Sequence, residues 1–410
     1  MKKINIIVGQ SGGPTAVINS SLYGVISEAF NSDEIANIYG MVHGIEGFMN
    51  GEYINLRNFF DENEKLELLK KTPAAFLGSC RYKLPEDIHD ISYKKVFDAF
   101  EKLDIGAFFY IGGNDSMDTV SKLERAARYY GSEVCFIGVP KTVDNDLVNT
   151  DHTPGYGSAA KYIASTVRDV IFDAGVYRNP VVTIIEIMGR HAGWLTAASA
   201  LAGGKYSPNP MLIYLPEVAF DMDEFIRDLK LALNKNNSVI VCVSEGIIDS
   251  EGRLICEYDG DSTVDGFGHK MLAGCGKVLE RKVKSELSIK CRSIELNLPQ
   301  RCSSVLASLT DIEEAAGVGI NAVRAALRGE SGKMVCMDRD DSYGYKVRYV
   351  TRDVSEICNF EKKFPLDWIN EDKNGIKKEF IDYVLPLIQG ENRSSFKNGL
   401  PEYISLENRE

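Results

Sequence analysis

The sequence predicts an α/β protein built as two doubly wound, mostly parallel sheet lobes, and three observations carry that prediction. Apolar runs of strand length recur along the chain; they are uninterrupted rather than alternating; and segments of helical period separate several of them. An unbroken Val/Ile/Phe run suits a strand covered on both faces, as in a parallel sheet with helices on each side. At 410 residues the chain exceeds what one core commonly serves, so two domains are expected.

The elements follow in order. INIIVG (4 to 9) is a strand, and Ile18, Leu22, Val25, Ile26, Ala29 and Phe30 after it share one helical face. GAFFYIGG (106 to 113) is a strand followed by a polar helix, and VCFIGVP, VVTIIEIMG, MLIYLP and SVIVCVSEG continue the pattern. GYGSAA (155 to 160) matches G-x-G-x-x-A but follows DHTP instead of a strand, so it reads as a helix start and leaves a dinucleotide enzyme as a distant alternative. Near the end, YKVRYV (345 to 350) alternates like a strand, and Ile376, Phe380, Val384 and Leu385 mark a helix that packs on the body.

Composition narrows the partners. A net charge of -12, from 47 basic and 59 acidic residues, argues against a protein that coats nucleic acid or an anionic membrane. Any anionic ligand must be held by a local cluster. Nine cysteines with no Cys-x-x-Cys pair suit a reducing compartment. The apolar run after Met1 is too short for a signal segment, and no stretch approaches the ~20 apolar residues of a membrane span. A soluble, cytoplasmic protein is expected.

Four strand ends are rich in glycine or charge: GQSGGPTA (9 to 16), IGGNDS (111 to 116), GVPKTVDND (138 to 146) and EIMGRHAG (186 to 193). Glycine lets backbone approach a phosphate closely, and a following helix N-terminus offers free N–H groups. Each alone reads as a tight turn; four at one kind of position favour a phosphate site. No G-x-x-x-x-G-K-[ST] occurs, since GCGKV (274 to 278) has valine where the hydroxyl belongs. Asp144 and Asp146 would raise each other's pKa unless a positive group lies beside them, and Lys141 is three residues away. Asp-Asn-Asp alone is turn composition; joined to Lys141 it reads as a site.

GGNDS (112 to 116), PKTVDND (140 to 146), MGRHAG (188 to 193), SEG (244 to 246) and DGFGHK (265 to 270) together resemble the 6-phosphofructokinase family, from Ile4 to about Gly329. ATP-using members usually carry glycine in place of Asp115 and Lys141, so the chain resembles the pyrophosphate-dependent branch. The resemblance implies two lobes with the active site in the cleft between them: 1 to 155 with about 300 to 345 for the phosphoryl donor, 156 to 299 for the sugar phosphate, and 346 to 410 as an extension on the body. It implies reversible phosphoryl transfer from pyrophosphate to the 1-hydroxyl of fructose 6-phosphate, with Mg²⁺, in a homodimer or homotetramer.

Phosphoryl transfer needs in-line positioning, charge neutralisation and a group to take the hydroxyl proton. Asp144 is the candidate base. Asp146 orients the same hydroxyl or joins the metal shell, Lys141 and Mg²⁺ offset the carboxylate repulsion, and Thr142 offers its hydroxyl and N–H to the phosphoryl group. By resemblance, Gly13, Arg81, Asp115 and Ser116 serve the donor, with Asp115 and Asn114 at the metal. Met188, Gly189, Arg190, Glu245, Arg292 and Arg301 serve the sugar phosphate, Arg292 across a subunit interface.

Departures from the family pattern are local. Asn114 stands where an aspartate usually contributes to the magnesium site, and Asn297-Leu298-Pro299-Gln300-Arg301 replaces Gly-His-Ile-Gln-Arg, so a ring near the sugar phosphate is missing. Pro14 replaces a frequent aspartate, and Val181 a frequent arginine for which Arg178 is the nearest substitute. An ATP-dependent kinase is the near alternative, and a catalytically silent subunit of the same fold a further one, against which Asp144 and Asp146 speak.

Overall fold

The computed structural model describes residues 3–203, 211–259 and 274–406; the DGFGHK motif lies outside the described residues. The chain divides into two compact units. The first comprises Met1–Ser158, Arg301–Glu361 and Gln389–Glu410, and the second Ala159–Gln300 and Lys362–Ile388. The sequence predicts boundaries near 155 and 299 and one extension over 346 to 410. That extension is shared instead, because Phe364, Trp368 and Phe380 gather around Trp194 in the second unit.

In chain order the strands used below are β1 (Ile4–Gln10), β2 (Ile35–Met41), β3 (Tyr53–Asn55), β4 (Ile105–Gly112), β5 (Cys135–Pro140), β6 (Val181–Ile187), β7 (Met211–Tyr214), β8 (Ser238–Ser244), β9 (Lys290–Glu295), β10 (Lys333–Asp340) and β11 (Lys346–Asp353). The helices that bear on function are α1 (Ile18–Phe30), α2 (Asn114–Tyr130), α3 (Tyr156–Ala174), α4 (Trp194–Ala198), α5 (Cys275–Leu287) and α6 (Leu309–Leu327).

The first unit's sheet has the order β11-β10-β5-β4-β1-β2-β3, parallel except at its two edges. Ile6 and Ile7 are neighbours in β1 yet belong to different cores, one on each face of the sheet. That double burial is why the run is unbroken. On one face α1 meets α6 so closely that a Cβ on Gly24 would sit 2.1 Å from Ala316 O, and one on Gly319 2.2 Å from Ser21 O. Only glycine permits that approach.

The second unit's described sheet, β7-β8-β6-β9, is parallel throughout. All seven residues of β6 and of β8 are buried, the polar Thr183 and Glu186 of β6 among them. Registers bring strand ends level: Gln10 pairs with Ile111 and Gly112 with Pro140 in the first sheet, and Ile187 with Ser244 in the second. The glycine-rich loops therefore leave each sheet from one edge, the carboxyl edge where α/β proteins bind ligands.

Candidate active site

In the first unit three loops converge. Ser11 N donates to Ile111 O at 2.9 Å and Gly12 N to Cys80 O at 3.0 Å, which seats the Gly12-Gly13 turn between β4 and the segment carrying Arg81. Lys141, at the end of β5, is 3% exposed and donates from Nζ to Gly13 O at 2.6 Å. A Cβ on Gly13 would lie 3.2 Å from Arg301 Nη1, and one on Gly12 3.4 Å from Lys141 Nζ. Two cations thus press on one bare turn, with the charge of Arg81 acting on both. Burial first, and then the guanidinium charges of Arg301 and Arg81, push the Lys141 ammonium down to about 8 against the pull of Asp144 and Asp146.

The aspartate loop is braced by backbone. Lys141 N donates to Gly112 O at 2.9 Å and the Thr153 hydroxyl to Thr142 O at 2.9 Å, while Thr142 N donates to Pro154 O at 3.2 Å, so the N–H expected to face the phosphoryl group is instead spent on bracing the loop. Asn145 adopts φ 54° and is fully buried, so the turn between the two aspartates is built into the core. Asp144 N donates to the Thr142 hydroxyl at 3.1 Å, and that hydroxyl reaches the Asp144 carboxylate at 3.4 Å. Burial raises the Asp144 pKa; Lys141, Thr142 and Arg301 oppose it, while Glu361 adds to the rise. The carboxylate is thereby made a better proton acceptor than an exposed one.

Beside this cluster, Gly113 precedes α2, and Ser116 is buried in its first turn. Asp115 is 74% exposed and pairs with Lys83 at 3.0 Å. Asn114 has other company: its Oδ1 accepts from Asn359 N at 2.5 Å and its Nδ2 donates to Phe360 O at 2.5 Å.

In the second unit the loop after β6 carries Met188, Gly189 and Arg190. Met188 N donates to Gln300 Oε1 at 3.2 Å and Gly189 N to Glu245 Oε1 at 3.4 Å, while the Ser244 hydroxyl donates to Gly189 O. A Cβ on Gly246 would sit 2.0 Å from Arg190 O, so the loop rests directly on the SEG turn. Arg292 on β9 lies 3.8 Å from Asp173 and 5.8 Å from the Tyr177 ring centre. Glu217 receives both Gly193 N at 2.8 Å and Phe364 N at 3.0 Å.

Arg292 and Arg301, read from the sequence as one sugar-phosphate pair, fall in different units and keep different company: Arg301 stands with Gly13 and Lys141. Four contributors escaped the sequence reading. Gln300 is 2% exposed and fixes both Met188 N and Asn297 O, Lys83 pairs with Asp115, Glu217 fixes Gly193, and Glu361 bears on Asp144. Only Gln300 had a signal, its place beside Arg301.

Bare backbone turns, a buried lysine at one of them under the charge of two aspartates, and neighbouring guanidinium groups define a class: an enzyme that handles phosphoryl groups on an α/β scaffold. Residues 5–326 match the family described as Phosphofructokinase. The chain belongs to the phosphofructokinase family. It is 37% identical over 99% of its length to a pyrophosphate–fructose 6-phosphate 1-phosphotransferase of Halomonas elongata, of which it covers 97%. A relative of the same name from Xanthomonas campestris is 38% identical over 98% of this chain and 96% of its own. The crystal structure of a pyrophosphate-dependent phosphofructokinase from Nitrosospira multiformis superposes with TM-score 0.89 at 35% identity, covering 99% of this chain and 97% of that one.

Proposed function

We propose that this phosphofructokinase transfers a phosphoryl group reversibly between pyrophosphate and the 1-hydroxyl of fructose 6-phosphate. The observation that carries the choice of donor is Lys141, buried with its ammonium at the Gly12-Gly13 turn. A nucleotide brings its own nucleoside anchor; pyrophosphate has none and needs a fixed cation on the leaving phosphate. Pyrophosphate anhydride and phosphate ester have comparable transfer potential, so both directions are open.

Lys141, Arg81 and Arg301 hold the donor against Gly13, with Asp115 and Ser116 at the N-terminal turn of α2. Thr142 presents its hydroxyl to the transferring group, Asp144 takes the proton of the sugar hydroxyl, and Asp146 supports that hydroxyl. Met188, Gly189, Arg190, Glu245 and Arg292 bind the sugar phosphate; Arg301 is reassigned to the donor because of its place at Gly13.

Phosphofructokinases generally use Mg²⁺, and Mg²⁺ is commonly held by one or two carboxylates together with substrate phosphates. Among the described residues no group of three Asp, Glu, His or Cys could hold an ion unaided, which suits a metal that arrives with the donor. The exposed Asp115 carboxylate fits as its protein ligand; the Asn114 amide is already bonded on both atoms. The metal would neutralise charge on the phosphate oxygens.

Arg292, on the edge strand β9 and 5.8 Å from the Tyr177 ring centre, serves a neighbouring subunit in a homodimer or homotetramer. No described helix is long and apolar enough to cross a membrane. A steady-state comparison of pyrophosphate with ATP tests the reading: pyrophosphate is expected to be preferred by orders of magnitude, and a preference for ATP would overturn it.

A further inference from the structure

Residues 359–364 run from one unit to the other, and every hydrogen bond named here lies within a single unit. On the first unit Asn359 N and Phe360 O close a two-point clasp on the Asn114 side chain, at 2.5 Å each, and Asn359 Nδ2 reaches Asp118 at 3.3 Å. Asn359 takes φ 67°, a left-handed conformation that asparagine tolerates and that turns both backbone groups toward one amide. Upstream, Asn149 Nδ2 donates to Glu356 O at 3.1 Å, so the approach to the clasp is fixed as well.

On the second unit the next residues hold the loop assigned to the sugar phosphate. Lys362 O accepts from Trp194 Nε1 at 3.1 Å while its ammonium lies 4.9 Å from the centre of the same indole. Lys363 Nζ donates to His191 O at 2.8 Å, and Phe364 N shares the Glu217 carboxylate with Gly193 N. Phe364 is 1% exposed against Trp194. Between the two sets of bonds stands a single residue, Glu361.

We propose that residues 359–364 form a strap coupling the GGNDS motif to the 188–193 loop, and that Asn114 is a positioning residue, the clasp of that strap. Asparagine suits the task as aspartate does not: its amide accepts from one backbone group and donates to the next, whereas a carboxylate would face the Phe360 carbonyl with a second acceptor. The proposal rests on the reading of 188–193 as the sugar-phosphate loop.

The test uses Asn114→Asp in the full chain, which exchanges the amide for a carboxylate without altering size. Both tryptophans of the protein, Trp194 and Trp368, stand at the far end of the strap, so intrinsic fluorescence reads that end without turnover. The variant is expected to change tryptophan emission, to expose Trp194 to iodide, and to raise KM for fructose 6-phosphate about 3–10-fold, the loss of one hydrogen bond. Mn²⁺ affinity, followed by electron paramagnetic resonance, should not tighten. Lys363→Met should raise the same KM, and the double variant should be no worse than either single one, since a strap released at one end transmits nothing from the other. Unchanged emission with an unchanged KM, strictly additive effects, or tighter Mn²⁺ binding in Asn114→Asp would overturn the strap. Emission that shifts in a protein inactive with pyrophosphate would keep the strap and refute the assigned reaction.

Discussion

On the proposed reading, Asp144 and Arg301 would bear on turnover in separable ways. Removing a positioned base typically costs ~10²–10⁴-fold, so Asp144→Asn should lose that much kcat with little change in either KM. Arg301→Ala should instead raise KM for pyrophosphate more than KM for fructose 6-phosphate, because its guanidinium stands at Gly13. Equal losses would return Arg301 to a structural role. Lys141 adds a pH dependence whose sign is fixed by burial. Its folded pKa is lowered to about 8, and the bound dianion or trianion would pull it up again. Pyrophosphate binding between pH 8 and 9 should therefore take up a proton, and affinity should fall as pH rises through that range. Calorimetry in two buffers of different ionisation enthalpy measures the uptake; none at pH 8.5 would mean that Lys141 is not against the donor.

At the scale of elements, the aspartate loop depends on a buried ionic clasp behind it. His152 Nδ1 meets Asp151 Oδ2 at 2.8 Å and Nε2 meets Glu314 Oε2 at 2.7 Å, with the Tyr345 hydroxyl donating to Glu314 Oε1 at 2.7 Å. The clasp ties the 149 to 155 loop to α6 and to the turn between β10 and β11. Burial works against the charge on His152, but the two carboxylates prevail and its pKa is raised to about 9. A raised histidine stabilises fully below its unfolded pKa near 6.5, and that stability is lost as pH rises through about 9. The thermal midpoint should fall between pH 6.5 and 9, and His152→Asn should flatten the slope; an equal slope in the variant would free His152 of the effect. None of this was legible in the sequence, where DHTP read only as the approach to a helix. The central strands were legible because burial on both faces makes β1, β4, β5, β6 and β8 mostly apolar at successive positions. β2, β9 and β10 were not: β9 is an edge strand whose residues are mostly part-exposed, and β10 carries charge at its end.

At the scale of the whole molecule, a chain of net charge -12 handles two polyanions, so the choice of donor falls to the few groups at one strand edge. Most of those were legible, since phosphate chemistry demands glycine, lysine and aspartate at strand ends; Glu361, Lys83 and Glu217 were not, because their roles come from tertiary neighbours far away in sequence. The donor pair itself is separable. On the proposed reading, the Asp115 carboxylate, exposed on the first turn of α2, would repel the α-phosphate of a nucleotide, and the buried Lys141 would meet the leaving phosphate. Asp115→Gly should admit ATP weakly and keep pyrophosphate turnover in part. Lys141→Gly should lower pyrophosphate turnover by about 10²-fold or more without creating ATP use, because the Asp115 barrier remains. The double variant should use ATP better than either single one, since both obstacles are then gone. Kinetics of the three variants with each donor decide the matter: if Lys141→Gly keeps its pyrophosphate turnover, the buried lysine is part of the fold and the choice of donor lies elsewhere.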